Sequence, residues 1–520
     1  MVKLMRAAVL ATVLAMLSSG CVYLQRVSTT STGAEIPDGG TGLDVSADGR
    51  YVLFRTSYSM SSFDSNGVDD LYRKDTLTGA VELVTRTPTG GANAASVEGE
   101  MSDDGRWVAF SSAASNLVLA DTNGTLDVFV HDVVAHTTAR ASVTSTGGQG
   151  SQLADRPAIS GDGLHVSFST ASALVPADTD VSRDVYRFER ATGAVALVSS
   201  ASNGVVGDGS SFRSSIDYDG SVIAFDSDST NLVPGDTNGE RDVFVKFDTG
   251  LTARVSTGAG NTQATGGSSS PSMSGNGLAV AFTSAAFDLT PGDLNGQDDV
   301  FVKAITGEIF LASVATDGTQ GSRESNGARI SHDGTLVSFF SRATELTQRP
   351  TGNGAVVVRD GIDNITTVAS RDSNGNPHNG AGVIAAGGTY VLWWNSSPTI
   401  LPGDTNSAPD TYLQWWSPHE ITSISPSTIS LGASQPVTIT GSGFNRNADI
   451  SIYTHLGNVD GITFSNVVVV DQTTITADVE STVGVTPVGP KNLWVEAAGG
   501  GPGQTSGALA NCDTCLTVSL

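Results

Sequence analysis

The residues of this chain best suited to chemistry are carboxylates, and they recur in loops. Asp236-Thr237-Asn238-Gly239-Glu240-Arg241-Asp242 puts side-chain oxygens at its first, third and seventh positions, around a glycine that permits a sharp turn. Three more copies are intact: Asp64, Asn66 and Asp70; Asp121, Asn123 and Asp127; Asp293, Asn295 and Asp299. The copies led by Asp178 and Asp404 carry Val181 and Ser407 in the glycine place, and a sixth has decayed to Gly352-Asn353-Gly354. Calcium takes six to eight oxygen ligands, so the four intact loops are candidate calcium sites. Against this, Pro234 stands where calcium loops place their first carboxylate, and no bidentate Glu closes the loop. The competing reading is an Asx-type turn, in which Asp and Asn bond their own backbone. Repetition favours the turn, because a fold device must appear in every copy.

Other catalytic chemistry finds little support. There is no Gly-x-Ser-x-Gly elbow, no His-Glu-x-x-His and no phosphate-cradling loop. Of the scattered histidines, His332 reads as a solvated turn residue beside Asp333, and His165 as a strand residue explained by packing. No catalytic residue is assigned. Paired carboxylates for glycoside chemistry need distances that sequence does not give. Trp393, Trp394, Trp415 and Trp416 sit close together near the end of the repeats. Adjacent strand residues face opposite ways, so each pair places one ring on each face. Such rings serve either a sugar or peptide platform or the seam at which a ring of blades closes.

The loops are positioned by a repeat. Last-strand residues Ser28, Thr85, Ser142, Ser199, Ser256, Ser313 and Ser370 follow one another at intervals of 57 residues. Phe54, Phe110, Phe168, Phe225, Phe282, Phe339 and Trp393 mark a second strand, each preceded by a pair such as Asp48-Gly49 or Asp219-Gly220. Those pairs suit two-residue hairpin turns of the primed type. Val222, Ala224 and Asp226 face one way and Ile223 and Phe225 the other, a strand alternation. A small sheet cannot bury both faces alone, so successive units must stack, and a radial stack leaves only short edges. The expectation is an all-β chain: a seven-bladed β-propeller of four-stranded blades over residues 22–417, then a second domain. The phase of the motif, with Arg26-Val27-Ser28 matching Arg254-Val255-Ser256, makes the N-terminal segment the outer strand of the last blade.

The Ser-x-Asp-Gly-x-x-Val-x-Phe strands and Asp-Thr-Asn-Gly-x-x-Asp-Val-Phe loops resemble the TolB-like, WD-repeat-like propellers of bacterial envelope and secreted proteins. The resemblance implies a seven-bladed ring outside the cytoplasm. It does not extend to TolB's N-terminal α/β domain, which has no counterpart here. Val437-Thr438-Ile439-Thr440-Gly441-Ser442-Gly443-Phe444 and Asp471-Gln472-Thr473-Thr474-Ile475 resemble an IPT/TIG domain, an immunoglobulin-like β-sandwich, over residues 419–520. Such domains serve as spacers or contact modules at cell surfaces.

Lys3 and Arg6, an apolar run from Ala7 to Leu17 and Ser18-Ser19-Gly20-Cys21 read as an export signal over residues 1–20. Lipidation of Cys21 would make the chain a membrane-tethered lipoprotein, and otherwise it is secreted. In an oxidising compartment Cys512 and Cys515 are expected to pair as a local disulfide. The formal charge of −26 excludes nucleic acid or an anionic membrane surface as an electrostatic partner. The expected function is a non-catalytic envelope or secreted scaffold that binds a protein or glycan. The alternative is a secreted hydrolase or lyase for polysaccharide or peptide, with carboxylates in a propeller face. The one cofactor the residues suggest is calcium, at the acidic loops.

Overall fold

The computed structural model describes residues 24–347, 354–372 and 376–415 and, beyond them, 420–442, 449–454, 462–471, 474–482, 486, 489–498 and 509–519. The signal segment with Cys21, the decayed loop at Gly352-Asn353, and Trp416 lie outside the described residues, as do the side chains of Trp415, Cys512 and Cys515.

The strand alternation builds seven four-stranded antiparallel sheets in residues 24–415. Blade one holds Thr41–Val45, Tyr51–Thr56, Asp70–Asp75 and Val81–Leu83, and blades two to six repeat that order as far as Thr366–Val368. Blade seven takes Ala381–Ile384, Tyr390–Asn395 and Asp410–Trp415 from one end of the domain and Leu24–Arg26 from the other. Leu24 pairs with Gln414, Gln25 with Leu413 and Arg26 with Tyr412, so the ring is closed by backbone hydrogen bonds. The innermost strands of successive blades pack on one another, and that of blade one packs on blade seven.

Side-chain alternation sets the core between blades. Ile223, Phe225 and Phe244 of blade four pack back on Ala158 and Val185 of blade three. Val222, Ala224, Val243 and Val245 pack forward on Val280 and Phe282 of blade five. Each second-strand aromatic stacks on its third-strand neighbour: Phe225 on Phe244 at 5.7 Å, Phe110 on Phe129 at 5.6 Å. Blade six lacks the second ring, and Phe339 there pairs with Val357. Burying each such ring contributes about 1.5–3 kcal/mol.

The hairpin between the first two strands differs from the two-residue primed turn. Ser46 pairs with Tyr51 through its N–H, so four residues intervene, and Gly49 N–H closes a turn onto Ser46 O at 2.9 Å. Only the glycine, at φ 72°, lies in the left-handed region. The aspartate serves instead as an acceptor, since Asp48 Oδ1 receives Ser46 Oγ at 2.7 Å and Arg50 N–H at 3.0 Å. The Ser-x-Asp-Gly spacing thus encodes a side-chain brace, which relieves the aspartate of any need for positive φ.

The C-terminal unit contains two sheets. Glu420–Ser425, Ser434–Ser442, Thr474–Ser481 and Ile462–Asp471 form one, and Thr428–Ser430, Leu509–Ser519, Gly489–Ala498 and Asp449–Thr454 the other. Ile424, Ile429, Val437, Ile439, Ile475, Val479, Leu516 and Val518 fill the space between them, as in an immunoglobulin-like sandwich. Cys512 and Cys515 fall on the strand Leu509–Ser519. Among the described residues no helix is long and apolar enough to cross a membrane.

Candidate functional site

The inner strands enclose a cavity of about 830 Å³ on the propeller axis, to which all seven blades contribute. Leu43, Glu98, Glu100, Arg156, Arg213, Ser270, Arg329, Arg342 and Trp394 are among its lining residues. A β-bulge in the inner strands of blades one to six prepares this surface, shifting register between Asp155 and Ala158 in blade three and between Asn326 and Arg329 in blade six. Arg156 sits on its bulge at φ 54°, in the left-handed region that Ser270 in blade five and Gly327 in blade six also occupy. Four arginines in one cavity stand out in a chain with only 27 basic residues and a charge of −26. Arg213 is exposed to the cavity and donates to Ser270 Oγ at 3.2 Å.

Carboxylates share the space. Arg329 pairs with Glu100 at 3.3 Å, and Glu98 accepts Arg156 N–H at 2.8 Å. Asp44 accepts Met101 N–H at 2.6 Å. Burial, and then the charge of Glu100, push Asp44, next in sequence to the lining residue Leu43, up to about 7. Glu100 is raised for the same first reason, with Arg329 opposing. Phe340 and the partly exposed Trp394 add aromatic surface. Trp393, its neighbour, points the other way and is wholly buried against Tyr412 at 5.0 Å.

One end of the channel is narrowed by the hairpin turns. The second residue after each inner strand reads Ala47, Asp103, Gly161, Tyr218, Gly275, His332 and Ala386 around the ring, so large side chains alternate with small ones. Backbone bonds link neighbouring turns: Asp103 N–H to Gly161 O, Tyr218 N–H to Gly275 O, His332 N–H to Ala386 O. His332 Nδ1 approaches Asp103 Oδ2 at 3.5 Å and its ring meets Tyr218 edge-on at 5.4 Å. A side chain at Gly161 would collide with Tyr218, and one at Gly275 with His332. His332 is therefore a half-buried, ion-paired element of the mouth and not a free turn residue. His165 packs against the turn at Gly220, as a packing residue would.

The acidic loops lie at the start of each third strand, away from the cavity lining. In all four intact copies the asparagine Oδ1 accepts the N–H two residues on, as in Asn66 to Val68 at 2.9 Å and Asn238 to Glu240 at 3.0 Å. Its Nδ2 donates to a carbonyl beyond the outer strand: Ala92, Gly150, Ala264 or Gly321. The strand aspartates Asp70, Asp127, Asp242 and Asp299 are fully buried, and each accepts the hydroxyl of the last-strand Thr85, Ser142, Ser256 or Ser313. The leading aspartates have protein donors as well: Tyr72 on Asp64, Gln149 on Asp121, Gln263 on Asp236 and Gln320 on Asp293. Arg140 and Arg254 reach between the paired aspartates of their blades, Arg254 lying 3.3 Å from Asp236 and 3.1 Å from Asp242. Burial pushes Asp70 and Asp299 up to about 6 and raises Asp127 and Asp236.

Sequence reasoning found these loops but missed the channel arginines. Arg156 and Arg213 are 57 residues apart, in register with Gly99 and Ser270, so an inner-strand alignment of the repeats carried the signal.

Comparison with known proteins adds the following. No curated protein matches the chain. Among solved structures, an oligogalacturonate lyase from Vibrio parahaemolyticus aligns over 76% of this chain and 93% of its own, at 12% identity and a TM-score of 0.46. A TolB from Agrobacterium tumefaciens aligns over 53% and 79%, at 18% identity and a TM-score of 0.32. A puromycin-hydrolyzing peptidase from Mycobacterium tuberculosis aligns over 79% and 59%, at 11% identity and a TM-score of 0.43. At such values the similarity says nothing of activity. Residues 418–509 match the family model of the IPT/TIG domain, so the chain joins seven four-stranded propeller blades to an IPT/TIG domain.

Proposed function

We propose that this protein is an exported, non-catalytic binding scaffold whose propeller channel receives a carboxylate-bearing glycan of a surface partner, with the IPT/TIG domain as spacer. Export rests on the Lys3 to Cys21 signal. The observation that carries the binding reading is the lining of one axial cavity by Arg156, Arg213, Arg329 and Arg342 together with Trp394. Guanidinium forks match carboxylates, and an indole face offers the flat apolar contact that a sugar ring takes. The volume lies within the usual range of about 300–1,000 Å³ for small-ligand sites. The test is a panel of neutral oligosaccharides, uronic-acid oligosaccharides and acidic peptides. Selective retention of the uronic acids, lost in Arg213→Ala and without change in chain length, is the expected result. Retention of neutral sugars alone, or of none of the panel, contradicts it.

The Asp44–Glu100 pair supports a second reading, a hydrolase or lyase, because burial raises both carboxyls, Asp44 to about 7, and raised carboxyls suit general acid–base work. Shortened products from wild type, absent with Glu100→Gln, would select it.

A further inference from the structure

The acidic loop of blade three departs from its sisters at three positions at once. Asp180 stands where Asn66, Asn123, Asn238, Asn295 and Asn406 stand. Leu197 takes the place of Arg140 and Arg254, and Val206 that of Gln149, Gln263 and Gln320. Each change removes a hydrogen-bond donor or a positive charge.

The consequence follows from how the sister amides are held. Asn123 Oδ1 accepts Thr125 N–H at 3.2 Å while Nδ2 donates to Gly150 O at 3.1 Å, so the NH₂ group is what faces Asp127, at 3.0 Å. Asp180 keeps the first half, its Oδ1 accepting Ser182 N–H at 2.7 Å. Its other oxygen has no hydrogen to give. Carboxylate oxygens of Asp178, Asp180 and Asp184 lie within 4.8 Å of one another. Arg183, next in sequence, turns away to Asp155 and Ser169, and among the described residues no basic side chain pairs with any of the three.

A second observation concerns the burial of Asp184 and not the spacing of the three carboxylates. In three sister blades the second oxygen of the strand aspartate has a hydrogen-bond partner, Asn66 on Asp70 at 2.8 Å, Arg254 on Asp242 at 3.1 Å and Gln320 on Asp299 at 3.0 Å, and in blade seven Asp410 Oδ2 has the charge of Arg26 at 3.2 Å. Asp184 is completely buried; its Oδ1 accepts Ser199 Oγ at 2.6 Å, and its Oδ2 has no partner among the described residues. A buried carboxylate oxygen without a donor is costly unless something positive meets it.

We propose that Asp178, Asp180 and Asp184 bind a divalent hard cation of the calcium class. All the donors are oxygens, with no imidazole or thiolate to favour zinc. Calcium also accepts backbone carbonyls and water in irregular sets, and Gly207 holds the register position of the carbonyl that Gly150 presents in blade two. Tyr186 donates its hydroxyl to Asp178 and so stands beside the ion.

Terbium(III) luminescence excited through Tyr186, and calcium competition against it, read the site directly. Wild type should bind calcium in the range of about 0.1–1 mM shown by weak calcium modules, with a calcium-dependent rise in Tm. Asp180→Asn installs the residue that five sister loops carry, so the blade should fold; it should weaken binding by at least about tenfold and remove the Tm response. Asp293→Asn, in a sister loop, should leave both unchanged. An absent calcium response in wild type would overturn the proposal, leaving Asp180 and Asp184 to share a proton. A response that survives Asp180→Asn would overturn it equally, by placing the ion elsewhere.

Discussion

Ser28 Oγ donates to Asp410 Oδ1 at 2.7 Å and accepts Thr411 N–H at 2.9 Å, joining residues 382 positions apart. The same bond recurs within single blades, as Ser142 to Asp127 at 2.7 Å and Thr85 to Asp70 at 2.6 Å. The ring is thus closed by the device that fastens the outer strand in blades one to five; blade six has Ala355 in the aspartate's place. Ser28→Ala leaves a buried carboxylate oxygen and a backbone N–H without partners, and should cost about 1–3 kcal/mol in urea unfolding. Ser28→Thr should be nearly neutral, since Thr85 does this work in blade one.

Two neighbouring tryptophans should separate stability from binding. Trp393 fills the blade core, and Trp393→Ala should lower stability by about 3–5 kcal/mol. Trp394 lines the channel, and Trp394→Ala should change stability by no more than about 0.5–1 kcal/mol. Thermal melts of the two variants side by side check the contrast, and equal losses would contradict it.

The buried aspartates give the fold an unusual pH dependence. Burial pushes Asp70, Asp299 and Asp410 up to about 6 and Asp184 to about 7, against 3.8 in an unperturbed chain. Between those values the folded state holds the extra protons, so stability falls as pH rises through 6 to 7 and grows as pH is lowered toward 4. His332 acts in the same direction: Asp103 raises it, so its contribution is complete below 6.5 and lost above its folded pKa. His131 opposes, because burial lowers it to about 4 and the unfolded chain takes its proton first. Asp132, held near 2 chiefly by Arg106, loses its contribution only in strong acid. Tm measured in chelator should therefore rise from pH 7.5 to a maximum near about pH 5. A maximum at or above pH 7 would contradict this account.

The propeller was legible because Phe110, Phe168, Phe225, Phe282 and Phe339 must each meet the preceding blade in the same way, which fixes their spacing. The turn geometry was less legible, since Asp48-Gly49 suits two kinds of hairpin and only the bond from Ser46 to Asp48 distinguishes them. Channel chemistry was hidden for a different reason. Spacing shows that Arg156 and Arg213 are equivalent, but it does not show that a bulge brings both to the axis beside Arg329, Arg342 and Trp394. The four intact acidic loops looked alike at the level of Asp, Asn and Gly. Their differences reside in partners outside the loop, such as Arg254 or Gln320, which come close only on folding.

The central claim, that the axial channel is the binding site, is tested most directly by isothermal titration of one uronic-acid oligosaccharide into wild type, Trp394→Ala and Arg213→Ala. Saturable binding to wild type should weaken by about tenfold or more in each variant, as the loss of one aromatic or charged anchor implies, with no loss of folded protein. Equal affinity for all three proteins would contradict it.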